Sequence, residues 1–327
     1  MRLFLIKVLF IVVICGIIII NMGCLTMIYS CELCSLGGFG GTTGAVNPLS
    51  ADSPARNRYT LGYVFEYQDW ESVSIMEAHE LHEEGRDAHA RRNDITNSFF
   101  IGYGITDVLS VSFQVPYVEK HSKEVHEEEF LGEDQLSTGI GDAIMLGKYK
   151  FYDKSFGVAG IFGLKLPTGN TDERNNVNER YEPELQPGTG SLDYMFGISV
   201  NKKINHLIIL DSTVLYHLKT EGAQDYKFGD IVRTTQGATF NIIDIEKKPT
   251  LNILSEVILQ FANKDERDDE TVRDSGGTTI FYAPGISSQL TEYLKTTLSV
   301  PVPVYQALGG IHQELDFNVL FSMSYNF

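Results

Sequence analysis

From residue 57 onward, large apolar side chains recur at every second position. Tyr59, Leu61, Tyr63, Phe65 and Tyr67 alternate with Thr60, Gly62, Val64, Glu66 and Gln68. Leu109, Val111, Phe113, Val115 and Tyr117 repeat the pattern. So do Phe156 to Leu166, Leu192 to Val200, Leu251 to Phe261 and Leu294 to Val300. The final stretch, Glu314 to Phe327, places Leu315, Phe317, Val319, Phe321, Met323, Tyr325 and Phe327 on one face. A period of two belongs to β-strands, whose successive side chains point to opposite faces. No comparable helical period follows residue 56. The alternation predicts strands over 57–68, 96–105, 107–117, 140–151, 155–166, 191–201, 206–218, 227–242, 249–262, 277–290, 293–301 and 314–327.

The connections between these strands form a second pattern. Thr106, 152–154, 202–205, 243–248 and 291–292 are short. The connections over 69–95, 118–139, 167–190, 219–226, 263–276 and 302–313 are long. Strict alternation of short and long turns is the signature of an up-and-down transmembrane barrel with an even number of antiparallel strands. Strands of ten residues or more suit a tilted membrane crossing better than a soluble sandwich. The expected fold is therefore all-β: a transmembrane up-and-down antiparallel β-barrel of about twelve strands, spanning 57–327. A barrel's hydropathy is hidden in alternation, so the modest apolar content of 43% does not argue against a membrane.

The aromatic residues fall where strands meet loops, as interfacial girdles do: Tyr59, Tyr67, Trp70, Tyr117, Tyr149, Tyr194, Tyr216, Tyr282 and Tyr325. Phe327 completes the outward stripe of the last strand. A terminal Phe resembles the signal by which bacterial outer-membrane barrels are read by the barrel assembly machinery. The partners implied are outer-membrane lipid, that machinery and a small-molecule substrate of unknown identity.

The N-terminus reads as an export signal over residues 1–30. Arg2 and Lys7 precede an apolar run from Val8 to Ile20, short for a spanning helix and right for a signal core. Cys24 and Cys31 are alternative sites of lipid attachment. Cys31 and Cys34 form a lone CxxC, without the second pair a four-Cys zinc site needs. It reads as a local disulfide or an attachment point. Residues 31–56 form a Gly-rich segment, either a linker, a plug or a surface for a partner. The expected location is the bacterial outer membrane. A net charge of −17 argues against nucleic acid, whose backbone demands clustered Lys and Arg.

Charged residues on the inward stripes are candidates to line the lumen: Glu66, Lys148, Lys150, Lys165 and Asp211, then His217, Glu256, Lys295, Glu314 and Asp316. Both signs occur, so they either pair across a narrow interior or line a polar path. The loops at 118–139 and 167–190 would gate it. Five of the eight histidines cluster early: His79, His82, His89, His121 and His126, among many glutamates. Imidazole with carboxylate suits zinc, copper or nickel. A non-conducting barrel whose loops bind metal or a partner is thus the alternative to a channel. The charge run Lys264 to Glu270 reads as a solvated loop. No Gly-x-Ser-x-Gly, phosphate loop or dinucleotide fingerprint occurs, so neither an enzyme nor a cofactor is expected.

Three stretches carry a family likeness. They are Gly139-Ile140-Gly141-Asp142 leading to Lys148-Tyr149-Lys150, then Leu164 to Gly169 (LKLPTG), then Gly188-Thr189-Gly190-Ser191 with Asp193-Tyr194. In this order they resemble the outer-membrane transporters of the MetA-pathway of phenol degradation family, over roughly Tyr59 to Phe327. The resemblance implies a porin-like barrel that passes aromatic or hydrophobic compounds. The residues themselves have a structural reading: Pro167 and Gly169 end a strand, and Gly139, Gly141 and Gly190 allow tight entry into strands.

Overall fold

The computed structural model describes residues 55–72, 76, 89–124, 133–243, 248–273, 275–308 and 314–327. The export signal, the CxxC pair and His79, His82 and His126 lie outside them. Twelve staves follow one another around a closed barrel. They are β1 (Tyr59–Trp70), β2 (His89–Gly104), β3 (Leu109–Glu124), β4 (Glu133–Ile140 and Ala143–Asp153), β5 (Gly157–Leu166) and β6 (Asp193–Lys203). The circle continues with β7 (Ile208–Leu218), β8 (Ile231–Asn241), β9 (Asn252–Ala262), β10 (Gly277–Gln289), β11 (Leu294–Ser299 and Val302–Leu308) and β12 (Leu315–Asn326). Every stave pairs antiparallel with its neighbours in sequence, and β12 pairs with β1 to close the ring. Tyr59 and Phe327 exchange both backbone hydrogen bonds at 2.9 Å, so the two ends of the ladder meet. Closure satisfies the edge groups that hydrocarbon could not.

The side chains obey the alternation. Leu61, Phe99, Phe113, Phe162, Ile198, Val257 and Phe261 are exposed on the outer face, where lipid replaces water. Tyr59, Tyr117, Tyr149, Tyr216, Tyr282 and Tyr325 are exposed there too, and Phe327 stacks on Tyr59 with ring centroids 5.6 Å apart. Trp70 departs from the expected girdle. It sits at an even, inward position of β1 and is 1% exposed.

The short turns are built by side chains that mimic backbone. Thr106 Oγ1 accepts from Val108 and Leu109 N–H, Asn205 Oδ1 from Leu207 and Ile208, and Thr291 Oγ1 from Tyr293 and Leu294. Ser, Thr and Asn favour tight turns by this means. The opposite end carries the long connections, though β2, β3 and β4 run further into it than alternation predicts. Residues 118–124 and 133–140 are paired strand, with His121 opposite Leu136 and Val118 opposite Gly139. The expected gating loop 118–139 is therefore mostly wall. The charge run also has more order than a solvated loop. Glu266–Arg267 pairs with Glu270–Thr271 and with Tyr226–Lys227. Buried Asp265 holds this small sheet by accepting from Tyr226 hydroxyl at 2.7 Å and Gly229 N–H at 2.6 Å.

Candidate functional site in the lumen

The three sequence motifs meet at one corner of the barrel. Gly141 and Asp142 interrupt β4, freeing Asp142 from the ladder. Its Oδ1 accepts from Gly169 N–H at 2.9 Å, and its Oδ2 from Thr189 N–H at 2.8 Å and Thr189 Oγ1 at 2.7 Å. One carboxylate thus ties both ends of the connection 167–192 to the wall. The glycines are required by contact. A Cβ on Gly169 or on Gly188 would lie 2.6 Å from the other's Cα, inside any real packing distance.

Below the knot, Lys165 extends from β5. Its Nζ lies 2.6 Å from Asp193 Oδ2 and 3.5 Å from Asp142 Oδ2, and donates to Ser191 Oγ at 3.0 Å and to the Thr189 hydroxyl. Asp193 is fully buried, takes Thr220 N–H at 3.0 Å, and has His217 Nε2 at 3.3 Å. Buried charges must be paired and hydrogen-bonded, and this set meets that demand.

The connection 167–192 turns inward and leans on β2 and β3. Lys120 Nζ donates to the carbonyls of Glu184 at 2.5 Å and Gln186 at 3.0 Å, while Arg92 lies 3.6 Å from Glu184 and 3.2 Å from Asp94. Arg92 also stacks over Trp70, 4.8 Å from the ring centroid. These groups enclose a cavity of about 180 Å³ at the loop end of the lumen. On the far wall Arg233 donates from Nε to Gln260 at 2.8 Å, and Glu66 accepts from Asn318 at 2.8 Å. Glu66 and Arg233 stand on nearly opposite staves.

Apolar side chains also point inward, set among buried polar and charged ones such as Glu66, Lys148, Glu256 and Asn318. Val64, Phe100, Ile258, Phe281 and Leu320 form one inward cluster, and Ile144, Leu146, Ile161, Met195 and Leu215 form another. Alternation gives the direction of such side chains and not which of them meet across the barrel.

Of the expected lumen residues, Glu66, Lys148, Lys165 and Glu256 are buried inside. Asp211, His217 and Lys295 are inward and half-buried. Lys150 pairs with Asp153 at 2.8 Å beside the β4–β5 turn. Glu314 lies just ahead of β12. Asp316 is a correction: it is exposed, because a register shift between Asp69 and Trp70 turns Leu315 inward instead. Lys165 and His217 come together on Asp193. Arg92, Lys120, Asp142, Asp193, Lys219 and Arg233 were missed. Asp193 and Arg233 lay on inward parities of expected strands, a signal that was available. Arg92, Lys120 and Lys219 fell in segments read as loops. As for metal, His121 faces outward beside Leu136, and the described residues contain no group of three His, Cys, Asp or Glu able to hold an ion. His89 opposes Glu124 in the β2–β3 ladder.

Comparison with known proteins places this geometry in context. The family model for the MetA-pathway of phenol degradation matches residues 85–265. No curated protein matches by sequence. The outer-membrane channel COG4313 from Pseudomonas putida F1 superposes with a TM-score of 0.61 at 12% identity, over 86% of this chain and 100% of that one. At that identity the likeness establishes the barrel fold. The CymD monoaromatic hydrocarbon channel superposes at 0.47, with 9% identity over 84% of this chain and 89% of that one.

Proposed function

The chain belongs to the MetA-pathway of phenol degradation family, and we propose that it passes small molecules with an apolar body, aromatic compounds included, by passive diffusion across the outer membrane. The observation that carries this reading is the make-up of the interior. A charged cavity at the loop end adjoins two clusters of inward apolar side chains, one with Phe100, Phe281 and Ile258, the other with Met195, Ile161 and Leu215. A plain water channel has a polar interior throughout. A solute with an apolar body is stabilised along this path by contacts that a hydrated ion cannot use. Residues 1–30 serve as the export signal, and the strand ending at Phe327 serves assembly. The connection 167–192, held by Asp142, Lys120 and Arg92, sets the width of the loop-side mouth.

The test is conductance of the purified, heat-modifiable barrel in a planar bilayer. Discrete current steps are expected, with interruptions whose frequency rises with added benzyl alcohol. A silent bilayer from folded protein would overturn the reading.

A further inference from the structure

The cavity at the loop end has properties of its own. Its volume of about 180 Å³ is close to that of an engineered cavity of about 150 Å³ that takes up benzene. It therefore has room for one ring and a small substituent. Its apolar lining comes from Ile144, Val118, Leu215, Ile231, Pro116 and Pro187. Trp70 adds an indole face, and its buried Nε1–H has no hydrogen-bond partner.

The charge on the lining is uneven. Five cations face the cavity: Arg92, Lys120, Lys165, Lys219 and Arg233. Two carboxylates do, Asp94 and Asp142. Asp94 is already engaged by Arg92, and Asp142 by Gly169, Thr189 and Lys165. Asp193, 2.6 Å from Lys165, and Glu184, 3.6 Å from Arg92, do not line the space. A ligand in the cavity meets the cations first. All five are fixed on strands or at strand ends, and Arg92, Lys165, Lys219 and Arg233 are each at least nine-tenths buried. In a low dielectric a charge so placed acts strongly on a ligand.

Size, indole, spare N–H donor and facing cations coincide in one place. We propose that this cavity is a binding station for a monocyclic aromatic carboxylate, its ring against Trp70 and the apolar wall, its carboxylate toward Lys219 and Arg233. The inference rests on the channel reading above and narrows it: the molecule that pauses here is an anion.

Trp70 is the single tryptophan of the chain, so its emission reports this cavity directly. The experiment titrates the detergent-purified barrel with benzoate and, separately, with neutral benzyl alcohol. Benzoate is expected to change Trp70 emission saturably, and benzyl alcohol to bind at least about tenfold more weakly. Lys219→Gln and Arg233→Gln, each checked for heat-modifiable folding, should weaken benzoate about tenfold, as the loss of a charge-assisted hydrogen bond would. Equal affinity for benzyl alcohol and benzoate overturns the proposal. So does benzoate binding that neither variant weakens. Conductance of the same preparation separates the two claims. Current steps without benzoate binding sink the station alone, and benzoate binding in a silent bilayer sinks the channel alone.

Discussion

Two staves of this barrel are broken, and the breaks are repaired differently. In β4 the chain leaves the ladder at Gly141 and Asp142. In β11 it does so at Val300 and Pro301. Beyond each break, toward the loop end, the stave keeps one neighbour and loses the other. The first segment of β4 pairs with β3 alone, and the second segment of β11 pairs with β10 alone. At β4 the gap is filled by an inward loop, fastened by one carboxylate to three donors and sealed by glycines in backbone contact. At β11 the described residues show another repair. The side chain of Gln306 spans to β12, donating to Leu315 carbonyl and accepting Leu315 N–H, both at 3.2 Å. A single amide does there what a ladder would have done. The difference teaches that a strand break becomes a site when the freed residue is charged. A buried carboxylate must collect donors, and collecting them recruited the segment that shapes the cavity.

Removing the carboxylate should have the largest effect. Asp142→Ala leaves two buried N–H groups and Lys165 short of a partner, and is expected to cost about 3–5 kcal/mol, the range for opening a buried pair. Urea unfolding in detergent gives the number, and limited proteolysis should show the 167–192 connection released. A variant as stable as wild type, with that connection still protected, would show that the loop holds itself. Next comes the glycine contact. Gly188→Ala drives a Cβ to 2.6 Å from Gly169 Cα and should cost about 1–3 kcal/mol as overpacking. Gly147→Ala on β4, whose nearest neighbour would be 3.8 Å away, should change stability by less than about 0.5 kcal/mol. If the two glycines respond alike, close approach is not what holds the corner.

The smallest effect belongs to the β11–β12 side. The Glu314 carboxyl is pushed above its ordinary range by burial, then by Glu71 and Asp316, and its Oε2 lies 3.5 Å from Gln306 Nε2. An acid harder to ionise in the folded state than in the unfolded one weakens the fold as pH rises. The penalty is absent below the unfolded value of about 4.3 and grows as pH climbs through the folded one. Wild type should therefore lose more stability than Glu314→Gln between about pH 4 and neutrality, read from urea midpoints at each pH. Parallel pH profiles for the two proteins would remove Glu314 as the cause.

Much of this architecture was legible in the chain. Period-two alternation located all twelve staves, because a wall between lipid and lumen forces the two faces apart in polarity. It failed where that contrast fades. Along 118–124 the outward positions are Glu119, His121 and Lys123, so no outward apolar stripe marks the strand and it reads as a loop. The site was harder. Lys165 and His217 were visible as charges on inward parity. Asp142 was visible only as part of a glycine motif, since nothing local announces that a residue 47 positions away, Thr189, will donate to it. Asp316 was misplaced because a register shift cannot be seen in alternation alone. Trp70 was assigned to the lipid by residue type, when its parity already put it inside.

The height of the wall has a consequence for how anything reaches the interior. β2 and β3 are 16 residues long and β5 is 10, and the eight residues of Glu133–Ile140 alone are roughly 26 Å of extended chain at about 3.3 Å each. The rim is therefore slanted, like the lip of a jug. One flank stands as a parapet, and the inner loop is braced against its base. A solute arriving from that flank is screened by wall, and one arriving over the low side, above β5 to β7, meets the connection 167–192 first. The barrel is circular in its hydrogen bonding and one-sided in its doorway.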